Sequence, residues 1–193
     1  MDILQELTNR RTLALTDGID QEQAINLRHG LLKLELESPK KEIRLLIDSD
    51  GGHTRPALYV YDVIASLEAP VTGIVVGKCH SMATVILQAC TKRLALEHAM
   101  FLPHFVSTTF VFSQRFPKKQ ILKLFERRYL EGRVVQRECE RLLAARSGKS
   151  LKDVRKLMRD GDDFGAQLSA REAQRVGLID GIIRDSKGLF KRP

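Results

Sequence analysis

Residues 73–87, GIVVGKCHSMATVIL, pass from a β-branched run through Gly77 and a polar triplet into a second apolar run. The first half has the composition of a short buried strand, and the second is a small-residue start to an apolar helix. A strand that hands over to a helix within a few residues is the corner of an α/β unit. At such a corner a serine hydroxyl projects outward. The backbone N–H groups that follow have no helical partners and sit at the positive end of the helix dipole. Ser81 therefore has two readings: an ordinary helix cap, or a nucleophile beside an oxyanion hole.

The same order of elements surrounds this corner. IRLLID (43–48) reads as a strand stopped by the turn formers DSDGG, and TRPALYVYDVIASL (54–67) as a helix opened by threonine and an early proline. PVTGIVVG (70–77) is the next strand, so strand, helix, strand, helix implies a parallel sheet with right-handed crossovers. KRLALEHAMFLPHF holds two strand candidates divided by EHA, and LIDGII near the C-terminus gives another. From Pro117 to Arg146 the apolar residues Ile121, Leu124, Phe125, Tyr129, Val134, Val135, Cys139, Leu142 and Leu143 recur at helical intervals without an internal proline. SLKDVRKLM and LSAREAQRVG read as shorter helices, each with a serine followed three residues later by an acid, Ser150 with Asp153 and Ser169 with Glu172.

At 193 residues the chain is long enough to bury a full core without disulfides or metal. Three scattered cysteines, Cys79, Cys90 and Cys139, have no CxxC or histidine spacing, which argues against a disulfide framework and a metal site and for the reducing cytoplasm. No run approaches a membrane span, and the N-terminus lacks the apolar core of a secretory signal. The net charge of +8 is uneven: residues 115–193 carry 21 Lys/Arg against 11 Asp/Glu, the first 114 only 11 against 13. Those bases are interleaved with acids at helical spacing and no nucleic-acid motif accompanies them, so the pattern reads as a solvated helix face rather than a phosphate-binding surface.

A serine nucleophile needs a base within hydrogen-bond reach and a group that orients the base. His104, at the end of a later strand candidate, is the best placed. His98 falls in a turn, His53 in the glycine loop, His29 in an early helix, and His80 is the neighbour of Ser81, where adjacent side chains diverge. The corner does not match a GxSxG elbow, because positions 79 and 83 are Cys and Ala. Spacing alone leaves a serine hydrolase as one reading among several.

RLLIDSDGG, ALYVYDVIASLEAPVTGIVVG, HSMATVILQACTKRLALEHAMFLPH and LSAREAQRVGLIDGII, in this order, resemble segments of the Clp protease proteolytic subunit family. The resemblance implies a ClpP/crotonase-like α/β fold, a repeated β-β-α spiral with a protruding helix-strand handle at about residues 105–146. It divides the chain into a short leader, 1–10, and one domain, 11–193. Carried over by position, it implies Ser81 as nucleophile, His104 as general base, and the backbone N–H groups of Gly52 and Met82 as oxyanion donors. Asp162, two residues before Phe164, matches the triad acid, with Asp160 and Asp163 as rivals.

The same resemblance implies hydrolysis of peptide bonds in unfolded polypeptides or peptides, no cofactor, assembly into heptameric or tetradecameric rings, and feeding by an ATP-driven (AAA+) unfoldase. The chain departs from the family pattern where Asp50 replaces the proline before the two glycines, which puts a carboxylate near the expected oxyanion site. Cys79 and His80 stand where small residues precede the serine, and Ala83 replaces a glycine. Three roles are open to His80: packing under the site, narrowing a substrate subsite, or replacing His104. These departures motivate an alternative, a catalytically weak or silent subunit that acts through assembly with a partner. A third reading, acyl-coenzyme A chemistry without a serine nucleophile, leaves Ser81 and His104 idle.

Overall fold

A computed structural model describes residues 3–111, 113–159 and 167–184. The chain begins with α1 (Ile3–Asn9), β1 (Thr12–Ile19) and α2 (Gln21–Glu37), followed by β2 (Ile43–Gly52), α3 (Thr54–Ser66), β3 (Val71–His80) and α4 (Met82–Ala89). Next come β4 (Lys92–Leu96), β5 (Met100–Leu102), α5 (Lys118–Ser147), α6 (Leu151–Arg159), β6 (Leu168–Ser169), α7 (Ala170–Arg175) and β7 (Gly181–Ile183). The polar segment before β1 is thus helical over Ile3–Asn9, with Arg10 paired to Glu6 at 2.8 Å.

The architecture turns on β3. Its first half, Thr72–Val75, pairs in parallel with β4, and its last three residues, Lys78–His80, pair in parallel with β5. One strand thereby serves two branches of the sheet: β1-β2-β3-β4-β7 forms one, and β5, carrying antiparallel β6, the other. This is the α/β spiral expected of the sequence. β2 and β3 both run further than their apolar stretches suggested, because backbone pairing continues through Gly51 and Gly52 to β1 and through Ser49 to Cys79.

The helices follow from their ends. Asp20 caps α2 by accepting from the Gln23 N–H, and Ser169 and Glu172 form a reciprocal capping box on α7. In α4 every side chain from Met82 to Gln88 is buried, which explains a helix apolar on all sides. α5 starts after Pro117 and ends at Gly148 in the left-handed conformation. Its Cys139, Leu142 and Leu143 enter the core, whereas Leu122, Phe125, Tyr129, Leu130 and Val134 are exposed. At the start of the handle expected over about 105–146, residues 105–111 form no strand pairing among the described residues. The segment lies along α5 instead: the Val106 N–H donates to Gln136 Oε1 at 2.8 Å, and Phe110 stacks on Phe125 with centroids 4.9 Å apart.

A buried polar centre fastens β4 to the C-terminal elements. Arg93, only 5% exposed, donates to both Asp180 carboxylate oxygens, to Gln88 Oε1 at 2.6 Å and to the carbonyls of Gly177 and Arg146. Burial pushes the Asp180 carboxyl up, but the Arg93 hydrogen bonds and charge outweigh it and leave the group below its ordinary 3.8. Asp180→Ala strands a buried guanidinium and is expected to cost about 2 kcal/mol at neutral pH. That is less than the roughly 3–5 kcal/mol of a fully buried pair, because the Asp180 side chain is 40% exposed. Thermal melts of the two proteins check this. A depressed carboxylate contributes above its unfolded value, so the gap persists at neutral pH and closes as pH falls below 3.8.

Candidate active site

Ser81 sits between the last residue of β3 and the first of α4 with φ 51° and ψ −124°, a conformation rare for a residue with a side chain. No loop residue intervenes, so this one residue absorbs the turn from strand to helix. Its N–H donates to the Leu102 carbonyl at 2.8 Å, and its own carbonyl accepts from the Thr84 N–H at 3.0 Å and Thr84 Oγ1 at 2.6 Å. The hydroxyl makes no capping bond. The plain cap reading of Ser81 therefore fails on geometry.

The β3–β5 register brings in the histidine. His80 pairs with Leu102, and His104 follows two residues later. Ser81 and His104 line the same cavity of about 40 Å³, together with Gly52, Met82, Thr54 and Thr84, and with Cys139, Leu143 and Met158 on its apolar side. No hydrogen bond joins Ser81 to His104 in this conformation. His104 Nδ1 lies 2.7 Å from the Phe105 carbonyl oxygen. A carbonyl only accepts, so in the neutral ring Nδ1 carries the proton and Nε2 keeps its lone pair.

The glycine loop closes on the same corner. Gly51 has φ 82°, and a Cβ built there would lie 2.6 Å from the His80 carbonyl oxygen and from Ser81 Cβ, and 2.9 Å from the Met82 nitrogen. Only glycine permits so close an approach. The Gly51 N–H is held by Ser49 Oγ at 3.1 Å, and the His53 N–H by Ile19 O at 2.8 Å. Gly52 is exposed and lines the cavity beside Ser81 and Met82. Met82, as the first residue of α4, has an N–H without an intrahelical acceptor.

His80 and Asp50 are clear of the cavity lining. The Asp50 carboxylate lies 2.7 Å from Lys78 Nζ and 3.5 Å from His80 Nδ1. The Lys78 hydrogen bond holds the Asp50 carboxyl below its usual value, against slight desolvation, and the same contact raises Lys78. The carboxylate feared beside an oxyanion is thus matched by an ammonium. His80, its side chain 15% exposed, is held below the usual imidazole range by burial, opposed by Asp50, and its Nε2 has no partner. Of its three readings, packing under the site fits a largely buried ring that does not line the cavity. Cys79 is fully buried, which pushes its thiol well above the ordinary value and makes a thiolate nucleophile unavailable. Asp160, Asp162 and Asp163 lie outside the described residues.

Sequence reasoning passed over Thr84 and Cys139 as parts of apolar helices. The readable signal was polar Thr84 and Gln88, one helical turn apart within an otherwise apolar run; for Cys139, buried on α5 with Sγ 3.9 Å from Met82 Sδ, there was none.

The family model for Clp protease matches residues 1–186. Among similar proteins are three named ATP-dependent Clp protease proteolytic subunits. That of Oltmannsiellopsis viridis is 31% identical over 94% of this chain and 88% of its own length. Subunit 2 of Frankia casuarinae is 32% identical over 97% and 82%, and that of Chlorella vulgaris 31% over 97% and 88%. On the match across nearly its whole length and the strand-to-helix corner just described, the chain belongs to the Clp protease family.

Proposed function

We propose that this chain is a serine endopeptidase in which Ser81 is the nucleophile, His104 the general base, Gly52 and Met82 the oxyanion donors, and one of Asp160, Asp162 and Asp163 the acid. The observation that carries the reading is the shared cavity of Ser81 and His104, with His104 Nδ1 against the Phe105 carbonyl oxygen, a contact that leaves Nε2 as the base nitrogen of a neutral ring. In the first step Ser81 Oγ bonds to the scissile carbonyl carbon, its proton passes to His104 Nε2, and negative charge gathers on the carbonyl oxygen. The N–H groups of Gly52 and Met82 stabilise that charge. Collapse breaks the peptide C–N bond as His104 returns the proton to the departing amine. A water, deprotonated by the same histidine, then attacks the acyl carbon and frees the new carboxylate and Ser81.

In the described conformation the Phe105 carbonyl fixes the His104 tautomer; a carboxylate taking over that N–H would also stabilise the imidazolium formed on proton transfer. His104 must also swing or settle to bring Nε2 within reach of Ser81 Oγ, as free enzymes do when substrate or neighbours order the site. We further propose that the chain works in rings, heptameric or tetradecameric, with an ATP-driven unfoldase supplying unfolded polypeptide. The exposed apolar residues of α5, from Leu122 to Val134, support assembly, since a row of this kind is ordinarily covered. The whole belongs to the cytoplasm; among the described residues no helix is long and apolar enough to cross a membrane.

A fluorophosphonate probe should modify the wild-type oligomer at one serine, and Ser81→Ala and His104→Ala should each reduce labelling by about a thousandfold or more; a wild type that labels no faster than Ser81→Ala contradicts the reading. Gly51→Ala, which forces a Cβ against Ser81 and Met82, should abolish labelling while the native mass stays that of the wild type. Native mass spectrometry should give a multiple of seven protomers, and a monomer at micromolar concentration contradicts the assembly.

A further inference from the structure

Thr84 is a buried hydroxyl that the mechanism above does not use. It is 1% exposed, on the first turn of a helix whose other residues are apolar except Gln88. Its Oγ1 lies 2.6 Å from the Ser81 carbonyl oxygen, and its own N–H reaches the same oxygen at 3.0 Å. That oxygen can only accept, so the hydroxyl donates. Two donors thus grip one carbonyl at the residue with the least favourable backbone conformation in the site, φ 51° and ψ −124°. A conformation of this kind costs about 1–3 kcal/mol and persists only where its surroundings hold it.

The grip reaches the chemistry through one peptide plane. The Ser81 carbonyl and the Met82 N–H belong to the same trans peptide and point in opposite directions, so fixing the oxygen fixes the direction of the N–H. A hydrogen bond to the oxygen also polarises the unit and strengthens the N–H as a donor. Thr84 is itself anchored from behind. Its carbonyl accepts from Gln88 Nε2 at 3.0 Å, and Gln88 Oε1 accepts from Arg93 Nη1, so a buried polar line runs from the nucleophile to the Arg93–Asp180 centre. Gln88 and Arg93 are 1% and 5% exposed, which leaves little water to compete along it.

We propose that Thr84 is a positioning residue of the peptidase: its hydroxyl locks the Ser81–Met82 peptide plane, which holds the nucleophile in its strained conformation and aims the Met82 N–H at the developing oxyanion. The inference rests on the peptidase reading. It requires the hydroxyl rather than the volume of the side chain. Thr84→Val keeps the shape and removes the donor, whereas Thr84→Ser keeps the donor and removes a methyl group.

The test measures fluorophosphonate labelling rate, and kcat and KM on a fluorogenic peptide, for the wild-type oligomer, Ser81→Ala, Thr84→Val and Thr84→Ser. Thr84→Val should lose about tenfold in labelling rate and in kcat with KM within twofold of wild type, and Thr84→Ser should stay within about threefold of wild type in both. Equal rates for Thr84→Val and wild type overturn the inference, as does a loss in Thr84→Ser as large as that in Thr84→Val, which would assign the effect to packing. If Thr84→Val does not assemble, Thr84→Ala takes its place: a slow Thr84→Ala beside a fast Thr84→Ser supports the hydroxyl, and equal rates overturn it. A wild type that labels no faster than Ser81→Ala overturns the peptidase reading and this inference with it; a labelled wild type with an unaffected Thr84→Val overturns this inference alone.

Discussion

The positive φ of Ser81 is the constraint around which the site is arranged. β3 runs to His80, and α4 begins at Met82, so a single residue must turn the chain from sheet to helix. An unstrained turn would take two or three residues and would carry the serine away from the free N–H groups of the helix. Compressing the turn into Ser81 keeps hydroxyl and donor on adjacent residues. The cost is met locally by the Leu102 carbonyl on one side of the residue and the Thr84 pair on the other.

The rest of the architecture supplies that corner. Because β3 pairs with β4 early and β5 late, the strand that ends next to Ser81 is also the strand whose partner leads to His104. β2 brings Gly51 into contact distance, and the lack of a side chain there is a steric requirement of the corner. α5 closes the apolar side through Cys139 and Leu143, and α6 contributes Met158. Asp50, one of the departures from the family pattern, is matched in charge by Lys78 on β3, in an exposed pairing worth little in stability.

Much of this was readable in the sequence. The strand, helix, strand, helix order survived intact, α5 began and ended within a residue of the periodic run, and both serine-acid caps formed. What escaped has physical causes. β2 and β3 continue past their apolar residues because a ladder is made by backbone, which residue patterns do not report. The helix Ile3–Asn9 spans only about two turns, too short for the spacing of Ile3, Leu4 and Leu7 to stand out as a periodic pattern. Residues 105–111 have strand composition but no ladder partner among the described residues. Thr84, Gln88 and Arg93 lie within runs read as an apolar helix and a strand, and only three-dimensional placement joins them into one buried line. Ser81 and His104 were assigned their roles through the family resemblance, since spacing alone favoured a helix cap and a strand-edge histidine.

The central claim, that this corner stabilises an anion on an acyl group bonded to Ser81, is tested most directly by the crystal structure of the assembled protein with a peptide aldehyde. The account predicts a covalent bond from Ser81 Oγ to the aldehyde carbon, the resulting oxygen about 2.7–3.1 Å from the Gly52 and Met82 nitrogens, and His104 Nε2 within hydrogen-bond reach of the adduct. An aldehyde that occupies the cavity without a bond to Ser81, or an adduct whose oxygen faces away from both nitrogens, would contradict it.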